Sequence, residues 1–198
     1  MNLVDRAKRI ITEPKKEWLV IEQENTSIGQ LIGSYLIILA LIPAVCTFIG
    51  YGFIGIEIPF LGHIGSLSWG IRQAIVSIIT TIAGAFIIAF IIDALAPNFG
   101  STKNLSKAFQ LVVYSYTPTM LAGIFLIYPA LAIIATLAGI YGLYILYLGI
   151  APMMKTPPEK VTTYFVLSLI TTIIILVVVS AILSAIFIGG MAGMNMMR

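Results

Sequence analysis

Ionisable side chains in or beside long apolar segments are the first candidates for chemistry in this sequence, because a charge within a bilayer is costly and usually has a function. Arg72 and Asp93 lie at the two ends of one such segment, Ile71–Ile92. Asp93 follows Arg72 by 21 residues, about 32 Å along a helix, so the two cannot pair. We interpret Asp93 as a carboxylate at the water-facing end of a helix, within reach of Lys103 or Lys107. The alternative is a role in binding a coupling ion or a partner.

His63 and Glu57 share the loop Tyr51–Trp69, which is rich in Gly and aromatic residues; they could meet there and are the candidates for metal binding or nucleophilic catalysis. Two ligands do not make a zinc site, because structural zinc takes four ligands and catalytic zinc takes three and a water. A serine nucleophile such as Ser66 would have only His63 as base and Glu57 as orienting acid. The sequence has no phosphate-binding glycine loop, nucleophile elbow or zinc-binding His-Glu motif. We therefore predict no catalytic residue, no metal site and no cofactor.

A polar stripe is predicted in the apolar segment Leu105–Ile127, where Gln110, Tyr114 and Thr117 share one helix face. Such a stripe either lines a cavity or holds helices together, each hydrogen bond contributing about 0.6 kcal/mol in a bundle. We favour packing and leave the cavity open. The candidate residues for a polar path or for partner contacts are Trp18, Pro43, Asp93, Gln110, Tyr114, Tyr116, Thr117, Pro118, Tyr144 and Tyr147.

Five apolar segments must position these side chains. Hydrophobic residues make up 60% of the 198 residues and charged residues 10%, a composition typical of integral membrane proteins. Each segment is about 20 residues or longer, enough for a helix to cross a hydrocarbon core. The segments are continuously apolar, so we predict an all-α polytopic protein of five transmembrane helices. They are Ile28–Gly50, Ile71–Ile92, Leu105–Ile127, Ala130–Ile150 and Tyr164–Ile188, the last expected to be the most lipid-exposed.

The positive charges predict the orientation of these helices. Nine of the eleven basic residues lie before the first segment or in the second and fourth gaps, and the positive-inside rule makes that side cytoplasmic. The N-terminus is then cytoplasmic and the C-terminus external. The net charge of +3 follows this topology, so we do not expect nucleic-acid binding.

Residues 1–27 form a separate polar segment in this prediction. Leu3–Thr12 has the pattern of a basic amphipathic helix, suited to the cytoplasmic headgroup layer, and Pro14 ends it. Trp18 is expected at the membrane interface. The segment either lies passively on the membrane surface and supports the topology, or it is a docking surface for a partner. We expect the membrane domain over residues 28–190 and a loose external tail over residues 191–198.

Several short motifs in order along the chain resemble the Yip family, five-span membrane proteins named for interaction with Rab-type GTPases. The closest resemblance is to the small bacterial inner-membrane branch. It implies a five-helix domain with a cytoplasmic N-terminus in the inner membrane, and no known reaction or ligand. The Asp-Leu-Tyr-Gly-Pro motif of eukaryotic members is absent. The matching motifs are Pro14, Glu17–Trp18, Ile21, Glu24–Asn25, Ile42–Cys46, Phe48–Gly50, Leu67–Trp69, Tyr116–Pro118, Tyr128–Pro129 and Tyr144–Ile150.

Two functions remain open at this point. The first is a non-enzymatic membrane organiser or scaffold that binds an unidentified membrane or cytoplasmic protein through its cytoplasmic face. The second is a small-solute or ion transporter with a polar path along the third and fourth helices, where Pro118 interrupts the helix. The lipid bilayer is a partner in both cases. Gly29 and Gly33 have the spacing of close helix contacts and leave a homo-oligomer open.

Overall fold

Five helices of the protein are long and apolar enough to cross a membrane, as the sequence predicted. The computed structural model describes residues 2–58, 60 and 62–196, and side chains as far as residue 182, residue 58 excepted. We name these helices spans one to five, and they confirm the predicted all-α membrane fold. They cover Ile28–Ile54, Leu67–Phe99, Leu105–Ile127, Pro129–Met154 and Pro158–Ile182.

Most spans contain more than one helical segment. Span three is interrupted at Tyr116, where one helix ends at Ser115 and the next begins at Thr117, with Pro118 in its first turn. Pro43, in contrast, lies inside the continuous helix Ile37–Ile49. The α-helical segments of the spans are Ile28–Leu31, Ile37–Ile49, Leu67–Leu95, Leu105–Ser115, Thr117–Ala122, Ala132–Met154 and Val161–Met196. The π- and 3₁₀-helical segments are Ile32–Leu36, Gly50–Ile54, Ala96–Phe99, Gly123–Ile127, Pro129–Leu131 and Pro158–Lys160.

The last of these helices continues beyond the predicted membrane domain. Residues 191–196, which the sequence assigned to a loose tail, belong to the helix Val161–Met196, and residues 197–198 lie outside the described residues. The side of the bilayer on which this helix ends stays a prediction.

Two short helices precede span one and form a hairpin. Helix α1 covers Leu3–Thr12, the range predicted from the sequence, and α2 covers Pro14–Gln23. Asn2 caps α1 by accepting the N–H of Val4. Pro14 suits the first turn of α2, where its missing N–H costs nothing. We call α1 and α2 the N-terminal hairpin; α2 packs along span four, and α1 contacts span three.

The connection between spans one and two is shorter than the predicted loop of residues 51–69. Span one continues as a π-helical segment to Ile54, and the helix of span two begins at Leu67, where Ser66 caps it. Between them, strands β1 (Ile56–Ile58) and β2 (Gly62–Ile64) pair antiparallel, with Glu57 opposite His63.

Span three is the centre of the bundle. In the most apolar stretch of span three, 56% of the residues are buried, whereas in that of span five only 11% are buried. Span five is therefore the most lipid-exposed span, as predicted. Several of the largest fully buried side chains belong to the N-terminal hairpin and to spans three and four. They include Trp18, Phe109, Leu111 and Ile145. The N-terminal hairpin is therefore part of the core.

Candidate functional site

Trp18 is the anchor of the N-terminal hairpin. Its side chain is fully buried, and its indole N–H donates to the carbonyl oxygen of Ile145 in span four at 3.0 Å. A Cβ on Gly149 would lie 2.5 Å from the indole, so only glycine leaves room for the ring. The structure thus differs from the expectation of an interfacial Trp18. The buried residues Pro14, Glu17, Trp18 and Ile21 recur at helical spacing, which is why α2 packs with one face against the bundle.

A buried ion cluster links α1, α2 and Glu24, the residue that follows α2. The guanidinium of Arg6 contacts Glu17 at 2.7 Å and also pairs with Glu24. The side chains of Arg6 and Glu17 are each only 4% exposed. The guanidinium carbon also lies 5.4 Å from the ring centroid of Tyr114, within the range of a cation–π contact. Since an unpaired buried charge is very costly, these residues hold the hairpin in one arrangement.

Lys107, in the first turn of the span-three helix Leu105–Ser115, contacts the C-terminal end of α2. Its ammonium group donates to the carbonyl oxygens of Glu22 at 2.6 Å, Glu24 at 2.7 Å and Ile21 at 3.3 Å. These carbonyls lie at the C-terminus of α2, where helices leave acceptors unpaired and favour a positive charge. Gln110 donates to the carbonyl oxygen of Thr26 at 2.8 Å, one helical turn further along span three.

A cavity of about 460 Å³ lies beside the ion cluster. Its inner end is closed by Tyr35, whose hydroxyl lies 2.8 Å from that of Thr117 and whose ring packs edge-on against Tyr114. The cavity combines one arginine, one carboxylate and several neutral hydrogen-bonding groups, without a nucleophile paired to a base. The lining residues are Leu3, Arg6, Glu24, Thr26, Gln30, Ser34, Tyr35 and Tyr114.

The structure brings together part of the predicted polar stripe. Gln110 and Thr117 bond to the linker before span one and to span one itself, while Tyr114 lines the cavity. Tyr116 lies away from the cavity and lines a different groove, together with Pro43. Pro118 is buried directly after Thr117 in span three.

The tyrosines of span four lie elsewhere. Tyr144 is 47% exposed and packs against Tyr141 near the turn of the N-terminal hairpin. The hydroxyl of Tyr147 lies 3.1 Å from that of Thr162 at the start of span five. The predicted set of residues along spans three and four therefore does not form one continuous lining in the described part of the chain.

Asp93 is buried near the C-terminal end of the span-two helix Leu67–Leu95. Its Oδ1 has no hydrogen-bond partner, and neither Lys103 nor Lys107 pairs with it among the described residues. Lys107 is instead turned toward the end of α2. Within the same residues, no group of three or more His, Cys, Asp or Glu side chains is arranged to hold a metal ion. His63 and Glu57 do meet, at 3.5 Å across the small sheet.

The ion cluster does not follow from the amphipathic pattern of Leu3–Thr12, which predicts that charged residues such as Arg6 lie on the polar face of α1. Arg6 lies on the buried face with Ala7 and Ile10. One signal was present in the sequence: Glu17 and Glu24 are seven residues apart, the spacing of two helical turns, which predicts that the two carboxylates lie on the same side of the second helix.

The outer face of the N-terminal hairpin is exposed and mixes apolar with charged side chains. Lys16 and Glu13 form an exposed ion pair at 2.7 Å, and the hydrogen bond from Lys16 lowers the pKa of the Glu13 carboxyl. The hydroxyl of Tyr141 donates to the carbonyl oxygen of Ile11 and fixes the turn against span four. Exposed residues of this face are Val4, Asp5, Lys8, Arg9, Thr12, Glu13, Lys15, Lys16, Leu19 and Val20.

A family model described as the Yip1 domain matches residues 8–194, which includes α1 from Lys8 onward, all of α2 and all five spans. The chain belongs to the Yip1 domain family. It is similar to the inner membrane protein YohC of Escherichia coli K12, with 30% identity over 156 residues, 76% of this chain and 80% of YohC. YohC of E. coli O6:H1 matches equally well. No solved structure matches the chain significantly.

These relatives and the five apolar helices confirm the predicted family and the predicted multi-pass location in the bacterial inner membrane. Neither the family description nor the name of either relative denotes an enzyme.

Proposed function

We propose that this Yip1-domain protein is a non-enzymatic membrane organiser that binds protein partners through the outer face of its N-terminal hairpin. One observation carries the proposal: the hairpin is fixed to the bundle by its inner face, through Trp18, Arg6 and Lys107. A surface element held so firmly presents its outer face in a fixed arrangement, which lowers the entropic cost of binding.

The outer face has the composition of a binding surface. Val4 is 66% exposed and Leu19 57%, and basic side chains such as Arg9 and Lys15 lie between them. Exposed apolar groups beside positive charges fit a partner that offers an apolar contact and carboxylates. The positive-inside rule predicts that this face is cytoplasmic.

The test is site-specific photo-crosslinking in native membranes, with the photoreactive residue at Val20. We expect a discrete crosslinked protein that is lost when Val4 and Leu19 are both changed to Ser. The matched control carries the photoreactive residue at Phe90, which is also exposed but lies on span two. If crosslinks at Val20 and Phe90 yield the same lipid-only products, the organiser proposal is wrong.

The alternative proposal is a small-solute or ion transporter. The cavity of about 460 Å³ beside Tyr114 favours it, because polar groups line a space inside a membrane domain. Purified protein in liposomes would then show solute flux that falls in Tyr114→Phe or Gln110→Leu. Absence of flux across a broad panel of ions and metabolites would exclude it.

A homo-oligomer also stays a proposal. A Cβ on either Gly29 or Gly33 would meet no atom within 4 Å, so this face of span one is open. Small residues on an open face allow close approach of a second helix. Crosslinking of a Gly33→Cys variant in membranes, made in a Cys46→Ala background, tests whether the second helix is another copy of this chain.

A further inference from the structure

A groove of about 410 Å³ shares no lining residue with the cavity beside the ion cluster. Spans two, three and four form most of its walls, and Pro43 of span one also lines it. Gly139 keeps it open, because a Cβ there would meet only the hydroxyl of Thr119, at 3.6 Å. Residues that line the groove include Thr80, Thr81, Ser115, Tyr116, Gly139 and Leu143.

Three of the hydroxyl groups that line the groove bond to carbonyl oxygens of their own helices. Thr80 donates to the carbonyl oxygen of Val76 at 2.7 Å, and Thr81 donates to that of Ser77 at 2.8 Å. Ser115 donates to the carbonyl oxygen of Leu111 at 2.7 Å. None of the lining residues is charged. The groove therefore suits a hydrocarbon occupant better than water, an ion or a lipid headgroup.

The groove opens toward lipid. Thr80 and Leu143 on its two edges are exposed, and so are their neighbours Ile79 and Ile140. Leu146 follows Ala135 by 11 residues on the wall formed by span four, so the groove runs about 17 Å along the bundle, at a rise of 1.5 Å per residue.

Span five does not cover the groove. Near its cytoplasmic end it packs on span two, where the Tyr164 hydroxyl donates to the carbonyl oxygen of Ile92. Every residue from Leu176 to Ile182 is exposed instead. At the height of Leu176–Ile182, nothing in the described part of the chain thus fills the space between spans two and four.

We propose that the groove is a binding site for the hydrocarbon chain of a membrane lipid, which enters from the bilayer between spans two and four. The free energy gained on binding comes from van der Waals contact with the groove walls, because a hydrocarbon chain that enters the groove leaves an equally apolar bilayer. If the groove were empty, its walls would lose those contacts, whereas protein interiors are packed as densely as organic crystals. Because no residue of the walls is charged, the site selects for the hydrocarbon chain of the lipid and accepts lipids with different headgroups.

The test uses liposomes of phosphatidylethanolamine and phosphatidylglycerol in which part of either lipid carries a diazirine midway along one acyl chain. After irradiation, mass spectrometry locates the labelled residues. We expect labels on Tyr116 and Thr119, which lie on the wall of span three away from the groove opening. Gly139→Leu and Ala135→Leu fill the groove and should lower these labels severalfold.

Gly33→Leu is the matched control, because a Cβ at Gly33 meets no atom within 4 Å and the substitution lies outside the groove. Labels in the groove should be unchanged in this variant. Unlabelled Tyr116 and Thr119 in the unmodified protein would overturn the proposal, as would labels that persist in both filled variants. Cysteines placed at Thr80 and Val177 in a Cys46→Ala background test whether span five fills the groove instead. If they form a disulfide and the groove residues carry no lipid label, span five is the occupant.

Discussion

The indole N–H of Trp18 bonds to the carbonyl oxygen of Ile145 at 3.0 Å, although 127 positions separate the two residues in the sequence. This contact joins the first polar segment of the chain to the fourth membrane span. It also requires Gly149, one helical turn after Ile145, to lack a side chain. Stability of the membrane domain therefore depends on residues that precede the first span.

Replacing Trp18 tests this dependence directly. Trp18→Ala should lower the free energy of unfolding by about 3–5 kcal/mol, because it leaves a large cavity in a packed site. Trp18→Phe keeps most of the ring, loses the hydrogen bond and should cost less. Unfolding in mixed micelles, followed by circular dichroism, measures both. Leu19→Ala is the control, since Leu19 is exposed; equal losses at the two positions would contradict the anchoring role.

The ion cluster predicts a large effect of removing one partner. Arg6→Leu leaves the carboxylates of Glu17 and Glu24 facing each other and should destabilise the fold by about 3–5 kcal/mol. Adding Glu17→Leu should recover part of that loss, because one uncompensated charge is removed. A double-mutant cycle in the same unfolding assay measures the coupling. Additive losses would mean that Arg6 and Glu17 do not interact.

Lys107 should hold the C-terminal end of α2 in place. In Lys107→Met the carbonyl oxygens of Glu22 and Glu24 lose a charged donor, and bonds of this kind are worth about 1.5–3 kcal/mol. We expect faster amide hydrogen exchange in Pro14–Gln23 than in the unmodified protein. Lys103→Met is the matched control, because Lys103 is exposed. Unchanged exchange in α2 would contradict the capping role of Lys107.

The Glu13–Lys16 pair predicts a pH effect of defined sign. The hydrogen bond and charge of Lys16 lower the pKa of Glu13 below its unfolded value, so the contribution to stability is present above that value. It is lost as the pH falls through the folded pKa. An NMR titration of the Glu13 side-chain carbon should show the pKa rising in Lys16→Met. Both groups are fully exposed, so stability at neutral pH should hardly change.

The predicted orientation can be measured with fused reporters. Alkaline phosphatase, which folds only outside the cytoplasm, should be active when fused after residue 198 and inactive when fused before residue 2. A reporter that is fluorescent only in the cytoplasm should give the reverse pattern. Inverted results would place the N-terminal hairpin outside the cell and would also remove the basis for a cytoplasmic partner.

The sequence alone determined the spans, the family and the bounds of α1. These depend on local properties: the length of an apolar run compared with the thickness of a bilayer, and the capping and proline signals at helix ends. The contact between His63 and Glu57 was likewise expected, because both residues lie in one short connection.

Only the tertiary structure decided what the N-terminal hairpin packs against. An apolar helix face is equally compatible with lipid headgroups and with other helices, so the pattern of Leu3–Thr12 could not distinguish the two. The pairing of Arg6 with Glu17 and Glu24, and the separation of Tyr144 from Tyr114, follow from how distant segments pack. Such contacts are set by the shape of the whole bundle, where the space left by Gly149 admits an indole from the far end of the chain.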